Sequence, residues 1–275
     1  MKEKVFFICV NYNNSEYTNN YIDSVLNLKD LPKNTEIIIV DNKSENEDIE
    51  RIKNHISNKP NVKLIENNKN LGYFGGLNEG LKKIKNEVKR YVILGNNDIK
   101  FNNDFYQKLM EVELNDKLMV ICPDVLTSDG VHQNPHLIKK ISKLKKLKNE
   151  IYYKNYYMTK TLIFINKFIK KLLNKEIANH KNFFINKKMK IRMGIGACYV
   201  LTPNFFKYFD LLNNEVFMWG EEAVFANQIE SVMGEVMYIP DLKVFHEESV
   251  TVKNLNSKKR FYMVKESYKK YKKYL

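Results

Sequence analysis

Asp98, the pair Glu221-Glu222 and His246 are the side chains whose type and setting could move a proton or hold a cation. Asp98 closes Gly95-Asn96-Asn97-Asp98, directly behind the apolar stretch Tyr91-Val92-Ile93-Leu94. A carboxylate at the end of a buried strand can hold Mg2+ or Mn2+ against a diphosphate, for which one or two protein ligands suffice. Read alone, Asn-Asp is also ordinary turn composition. Glu221-Glu222 follows Trp219-Gly220 and heads an apolar-periodic stretch. Acids in a first helical turn complement the helix dipole. Two adjacent carboxylates at a cleft also split their proton affinities, leaving one ionised to accept a hydroxyl proton as a general base. His246 ends Lys243-Val244-Phe245. Its imidazole suits manganese as a second ligand beside Asp98, although a lone histidine at a strand end is more often structural. His55, His132, His136 and His180 have no comparable setting.

The loop Leu71-Gly72-Tyr73-Phe74-Gly75-Gly76 lacks both the G-x-G-x-x-G spacing of dinucleotide sites and the Lys-Ser/Thr of a P-loop. It follows a strand and opens a helix, so backbone could approach a ligand there; a plain helix-entry turn is the competing reading.

These groups need a scaffold, and the apolar patterning describes one. Val5–Val10, Glu36–Val40, Val62–Ile65 and Tyr91–Leu94 are short apolar runs of the kind that buried parallel strands show. Between them lie amphipathic stretches: Tyr21, Ile22, Val25 and Leu28; then Ile49, Ile52 and Ile56 with Ser44 as candidate cap; then a helix near Leu77 to Val88. This βαβαβαβ order implies a parallel sheet covered by helices, with ligands beyond the carboxyl ends of the strands. The polar clusters Asn11 to Ser15, Asp41-Asn42, Asn67 to Gly76 and Asn96 to Asp98 all fall at those ends. Further on, Leu118–Cys122 reads as a strand, Thr127–Gly130 as a hairpin turn and Gly194–Leu201 as a strand. A helix follows from Glu221 through Met233, stopped by Gly234, and then a last extended piece from Tyr238 to His246.

The net charge of +14 is segregated. Residues 137–192 carry +15 and residues 253–275 carry +8, while the rest sums to −9. In the first basic segment Leu137, Ile138, Ile141, Leu144 and Leu147, then Leu162, Ile163, Ile165, Phe168, Ile169, Leu172 and Leu173, alternate with lysines. Such a helix can lie in the headgroup layer of an anionic membrane, with Tyr152, Tyr153, Tyr156 and Tyr157 at the interface. It could equally pack on the protein's own core. Nucleic acid ranks last, because arginine is nearly absent from the segment. No stretch is long and apolar enough for a bilayer span, the N-terminal run is too short for a signal peptide, and the three cysteines show no metal-ligand spacing. A reducing cytosol is the expected location.

In order, Val10-Asn11-Tyr12-Asn13, Ile39 to Ser44, Asn70 to Asn78, Leu94 to Asp98, Asp129-Gly130, Gly196-Ala197-Cys198, Trp219 to Glu222 and Val244-Phe245-His246 resemble family 2 glycosyltransferases of the GT-A fold. The likeness is to bacterial rhamnosyl- and galactofuranosyl-type enzymes of surface polysaccharide synthesis, over roughly residues 3–135 and 193–250. It implies an α/β fold with a Rossmann-like, mostly parallel mixed sheet spanning 1–252, interrupted by a basic amphipathic insertion at 137–192 and followed by a basic helix at 253–275. By position it implies that Asp41 bonds the nucleotide base, with Asn11, Tyr12, Asn70, Gly72, Gly75 and Asn97 around the nucleotide. It makes Asp98 and His246 ligands of Mn2+ or Mg2+, and Glu222 the catalytic base with Glu221 as rival. The family's D-x-D element is reduced here to Asn96-Asn97-Asp98, and glutamate replaces aspartate at 222. The implied activity is an inverting transfer from a UDP- or dTDP-sugar to a hydroxyl of a glycan or polyprenyl-linked glycan, at the inner face of the cell membrane and without nucleic acid. The alternatives are a non-catalytic nucleotide-sugar- or glycan-binding relative and a basic nucleic-acid-binding protein.

Overall fold

The computed structural model describes residues 4–172, 185–247 and 257–275; for 166–172 it describes the backbone alone. Phe168, Ile169 and Leu172 of the expected apolar stripe therefore have no described side chains. Leu173, His180, the rest of 173–184 and the start of the basic tail at 253–256 lie outside the described residues.

Four strands, β1 (Lys4–Asn11), β2 (Glu36–Asp41), β3 (Val62–Glu66) and β4 (Lys89–Asn96), pair in parallel in the order β3-β2-β1-β4. Alternate residues of β1 enter separate cores: Val5, Phe7 and Cys9 on one face, Phe6 and Ile8 on the other. That two-sided burial is why the strand reads as an unbroken apolar run rather than an alternation. Helices α1 (Ser15–Leu26), α2 (Asn46–Ile56) and α3 (Tyr73–Lys83) make the crossovers. Strand order reverses between β1 and β4, and such a switch point opens a crevice at the strand ends.

The second half completes a mixed sheet. The order continues β4-β8-β6-β9-β5, with β5 (Ile99–Phe101), β6 (Leu118–Thr127), β8 (Cys198–Leu201) and β9 (Glu235–His246); β7 (Met189–Ile191) pairs with β9. Strand β8 is antiparallel to both β4 and β6, whereas β6 and β9 are parallel. The register Ile99↔His246 brings Asp98 next to the end of β9.

Several local expectations are corrected. Helix α3 starts at Tyr73, so Gly75 and Gly76 belong to its first turns and not to a preceding loop. Ser44 caps nothing: the cap of α2 is Glu45, and the Ser44 hydroxyl is drawn instead to Asp41. After α4 (Phe105–Met110), the helix entered at Glu221 runs Glu221–Ser231. Met233, at φ 58°, takes the left-handed position that ends it, and the N–H groups of Met233 and Gly234 close on Glu230 and Ile229 as in a Schellman turn. Gly234 is kept small by packing, since a Cβ there would lie 2.4 Å from Met119 Sδ.

The basic segments form helices α5 (Lys143–Tyr152) and α6 (Tyr156–Leu172), then, after α7 (Glu221–Ser231), α8 (Ser257–Tyr271). They pack on one another: Tyr153 stacks on Tyr268 at 4.4 Å, Tyr156 meets Phe261 at 5.5 Å, and Lys272 pairs with Glu150 at 3.0 Å. Tyr153 and Tyr156 thus serve internal contacts rather than an outer interface. Leu144, Leu147, Ile151, Ile163, Phe164 and Ile165 remain exposed. No helix among the described residues is long and apolar enough to cross a membrane.

Candidate active site

At the switch point the loops after β1, β2 and β4 are tied into one polar network. Asn11, fully buried, donates from Nδ2 to Asp41 Oδ1 and Asp48 Oδ2, both at 2.8 Å, and accepts from Thr18 Oγ1 at 2.8 Å. Asn97 donates to Thr18 Oγ1 at 2.8 Å and to Asn11 Oδ1 at 3.3 Å. Asp41 is fully buried and accepts from the backbone N–H of Ser44 at 2.8 Å and from its hydroxyl. Asp48, unmarked by the sequence reading, accepts the N–H groups of Asn14 and Ser15 at the start of α1. Partial burial pushes its carboxyl up, but the hydrogen bonds from Asn11 and Ser15 outweigh that and hold it below the ordinary aspartate value. Asn11, Asp41 and Asn97 therefore lie behind the loop surface and brace it. Tyr12 is 42% exposed and Asn70 half-buried.

The glycine loop is fixed from two sides. Asn70 Oδ1 accepts from Gly72 N–H at 2.9 Å, and Asn42 donates to the Gly72 carbonyl at 2.9 Å. Gly72 has φ 76°, and a Cβ on it would sit 2.1 Å from the Phe217 carbonyl oxygen, so only glycine fits. Gly75 is buried at the start of α3.

Beside this network opens a cleft of about 610 Å³, lined by Asn96, His246, Gly196, Trp219, Glu221 and Glu222 among others. Asp98 Oδ1 lies 3.2 Å from His246 Nε2. The other ring nitrogen, Nδ1, is 2.8 Å from Gln133 Oε1. An amide oxygen only accepts, so in the neutral ring Nδ1 carries the hydrogen and Nε2 turns its lone pair toward Asp98. A lone pair and a carboxylate oxygen facing each other at this distance suit two ligands that share one cation, with the ring held from behind by a hydrogen bond. Among the described residues, no group of three or more His, Cys, Asp and Glu side chains is placed to hold a metal. A pair suits Mg2+ or Mn2+ bound together with substrate phosphates.

The acidic pair sits on an unusual turn. Trp219 and Gly220 both have positive φ, 63° and 103°. The ring of Tyr271, from α8, occupies the space a Gly220 Cβ would need, 2.1 Å away, and Ser267 Oγ donates to the Met218 carbonyl at 2.6 Å. Glu221 is 6% exposed. Burial, reinforced by the charge of Glu222, pushes its carboxyl up to about 8, so it holds its proton at neutral pH. Glu222 faces the cleft and accepts the Gly196 N–H at 3.3 Å, while Tyr73 donates its hydroxyl to the Gly196 carbonyl at 2.8 Å. The two neighbours are thus differentiated: one enclosed and neutral, one open to the cleft.

The structure brings His246, Glu221 and Glu222 to one cleft, with Asp98 against His246 and the neighbouring Asn97 bonded to Asn11. The sequence reading missed Gln133, Asp48 and Tyr271. Gln133 follows the predicted hairpin turn closely, which is a weak signal. Tyr271 carried none, being one tyrosine in a lysine-rich tail.

The family model for glycosyl transferase family 2 matches residues 6–180, most of the chain. The chain belongs to glycosyl transferase family 2. The matched range includes Asp41, Asn70 and Asp98 and stops before Glu221, Glu222 and His246. No curated protein matches the chain in sequence. Among solved structures it is similar to GalNAc-T7 with UDP, GalNAc and Mn2+ (TM-score 0.60, 15% identity, 89% of this chain and 44% of that one). It is also similar to the Pyrobaculum calidifontis mannosyltransferase PcManGT in complex with GDP-Man and Mn2+ (0.58, 10% identity, 91% and 59%). A third is S. aureus TarS 1-349 (0.55, 15% identity, 89% and 60%). The chain spans about half the length of these proteins. The mixed, mostly parallel sheet between helices is accordingly a GT-A glycosyltransferase fold.

Proposed function

We propose that this family 2 chain transfers a sugar, with inversion, from a UDP- or dTDP-sugar to a hydroxyl of a glycan or polyprenyl-linked glycan acceptor in bacterial surface polysaccharide synthesis. The observation that carries the reading is that Glu222 shares one cleft with His246, whose ring lies against Asp98. Glu222 takes the proton from the acceptor hydroxyl as its oxygen attacks the anomeric carbon, and the nucleoside diphosphate leaves on the opposite side. Neutral Glu221 adds no second negative charge beside Glu222. Asp98 and His246 would hold Mn2+ or Mg2+, which supplies positive charge to the diphosphate when bound. Tyr12 and Asn70 are the side chains offered to the nucleotide, Gly72 and Gly75 shape the loop beside them, and Asn11, Asp41 and Asn97 keep their loops in place.

A panel of UDP- and dTDP-sugars tests this reading. With Mn2+, the protein is expected to release nucleoside diphosphate from at least one donor, and Asp98→Ala to weaken nucleotide binding by at least about tenfold in calorimetry. Release from no donor, or Mn2+-independent binding unchanged in Asp98→Ala, contradicts the assignment.

The same reading places the chain on the cytoplasmic face of an anionic membrane. Support comes from α5, where Leu144 (68% exposed) and Leu147 share a face with Ile151 among Lys143, Lys145, Lys146 and Lys148, and from Phe164 on α6 (72% exposed). Lysines near an anionic surface contribute about 1 kcal/mol each. The protein should float with phosphatidylglycerol vesicles and not with phosphatidylcholine vesicles, and high salt should release it; equal flotation with both rules the surface out.

A further inference from the structure

Behind the Met218-Trp219 turn, on α8, lies a second groove of about 340 Å³, lined by Phe217, Trp219, Tyr262, Glu266 and Lys270 among others. Met218 and Trp219 line both this groove and the 610 Å³ cleft, so a single turn separates the two. Phe217 and Tyr262 are each nearly half exposed. Trp219 holds a left-handed backbone conformation that bulky residues seldom adopt, with the Arg260 guanidinium carbon 5.8 Å from its ring centre.

We propose that this groove is a saccharide subsite, holding a sugar unit of the acceptor one or more residues away from the reacting hydroxyl; the proposal rests on the transferase reading of the cleft. A pyranose has a face of C–H groups that is apolar and slightly electropositive, and it packs on the electron-rich face of an aromatic ring. Its equatorial hydroxyls need an acceptor and a donor at the edge. Glu266 and Lys270 supply one of each. Their present partners are surface groups: Lys269 for Glu266 at 2.6 Å and the Glu215 carbonyl for Lys270 at 3.1 Å. Exposed contacts of this kind exchange at little cost. The groove also differs from the exposed faces of α5 and α6, where mostly aliphatic side chains and Phe164 lie among lysines. Here three aromatic rings meet a rim that carries the carboxylate of Glu266 as well as Lys270.

Trp219 is the sole tryptophan, so its emission reports on the groove and the adjoining cleft, which the variants below tell apart. The full chain is titrated, without donor, with the methyl glycosides of glucose, galactose, N-acetylglucosamine and rhamnose. At least one should give a saturable change in the millimolar range, weakened by about tenfold or more in Tyr262→Ala and in Phe217→Ala at unchanged Tm. No saturable change with any of the sugars overturns the proposal, as does equal affinity in wild type and both variants, which would seat the sugar in the main cleft. A change caused by phosphatidylglycerol vesicles and by none of the sugars would make the groove a membrane contact. Nucleoside-diphosphate release from the donor panel needs no acceptor glycan, so it judges the cleft independently of the groove.

Discussion

Glu222→Gln is expected to lower sugar transfer by about 10²–10⁴-fold, the usual worth of a positioned general base, while UDP and Mn2+ still bind. The amide keeps the side chain's length and can still accept the Gly196 N–H that the carboxylate accepts at 3.3 Å. What it loses is the capacity to take a proton. Glu222 is bonded to the Gly196 N–H and Asp98 faces His246, so nucleotide affinity measured by calorimetry should stay within a few-fold of wild type. Unchanged turnover would refute the role of Glu222. If Glu221→Gln abolished transfer and Glu222→Gln did not, the enclosed carboxyl would be the base.

The second large effect is a pH dependence of stability carried by Glu221. Its carboxyl is raised from 4.5 to about 8 in the fold. Between those values the unfolded chain has released this proton and the native state retains it, so stability falls as pH rises, by up to about 1.4 kcal/mol per pH unit. The contribution is fully present below the unfolded value of 4.5 and is lost on passing 8. Other carboxyls, such as Asp48 and Glu230, are lowered and act in the opposite sense at acid pH. Comparison of wild type with Glu221→Gln isolates the one group. Wild-type Tm should fall from pH 5 to 9 more steeply than that of the variant, whose neutral amide cannot ionise. Parallel Tm curves would mean that Glu221 is not held protonated.

The first half of the fold and the position of the site could be read from residues because both depend on local pattern. Parallel strands buried on two faces must be continuously apolar, as Val5–Val10 is, and a βα order delivers their polar ends to one edge. That is why Asn11, Asp41 and Asn97 share one hydrogen-bond network. The insertion of β8 antiparallel between β4 and β6 depends on pairings across about eighty residues on one side and more than a hundred on the other, and no short window encodes them. The docking of α8 against Gly220 was hidden for a different reason. Lysine and tyrosine in the tail describe a polar helix with some rings but not the surface that receives them, and that surface is set by the left-handed turn at Trp219 and Gly220. Ser44 misled because its hydroxyl had two possible partners, a helix end and a buried carboxylate. The carboxylate, Asp41, has no water to satisfy it, so it has the stronger claim. Burial also separates what position alone had merged: Asp41 is fully enclosed, whereas Tyr12 is exposed and Asn70 half-buried.

Crystals of the full chain grown with UDP and Mn2+, with anomalous data collected for manganese, test the central claim most directly. The account predicts one manganese peak between Asp98 and His246, with the diphosphate on it and Glu222 across the same cleft. A nucleotide bound elsewhere, or manganese held without Asp98 and His246, would contradict it.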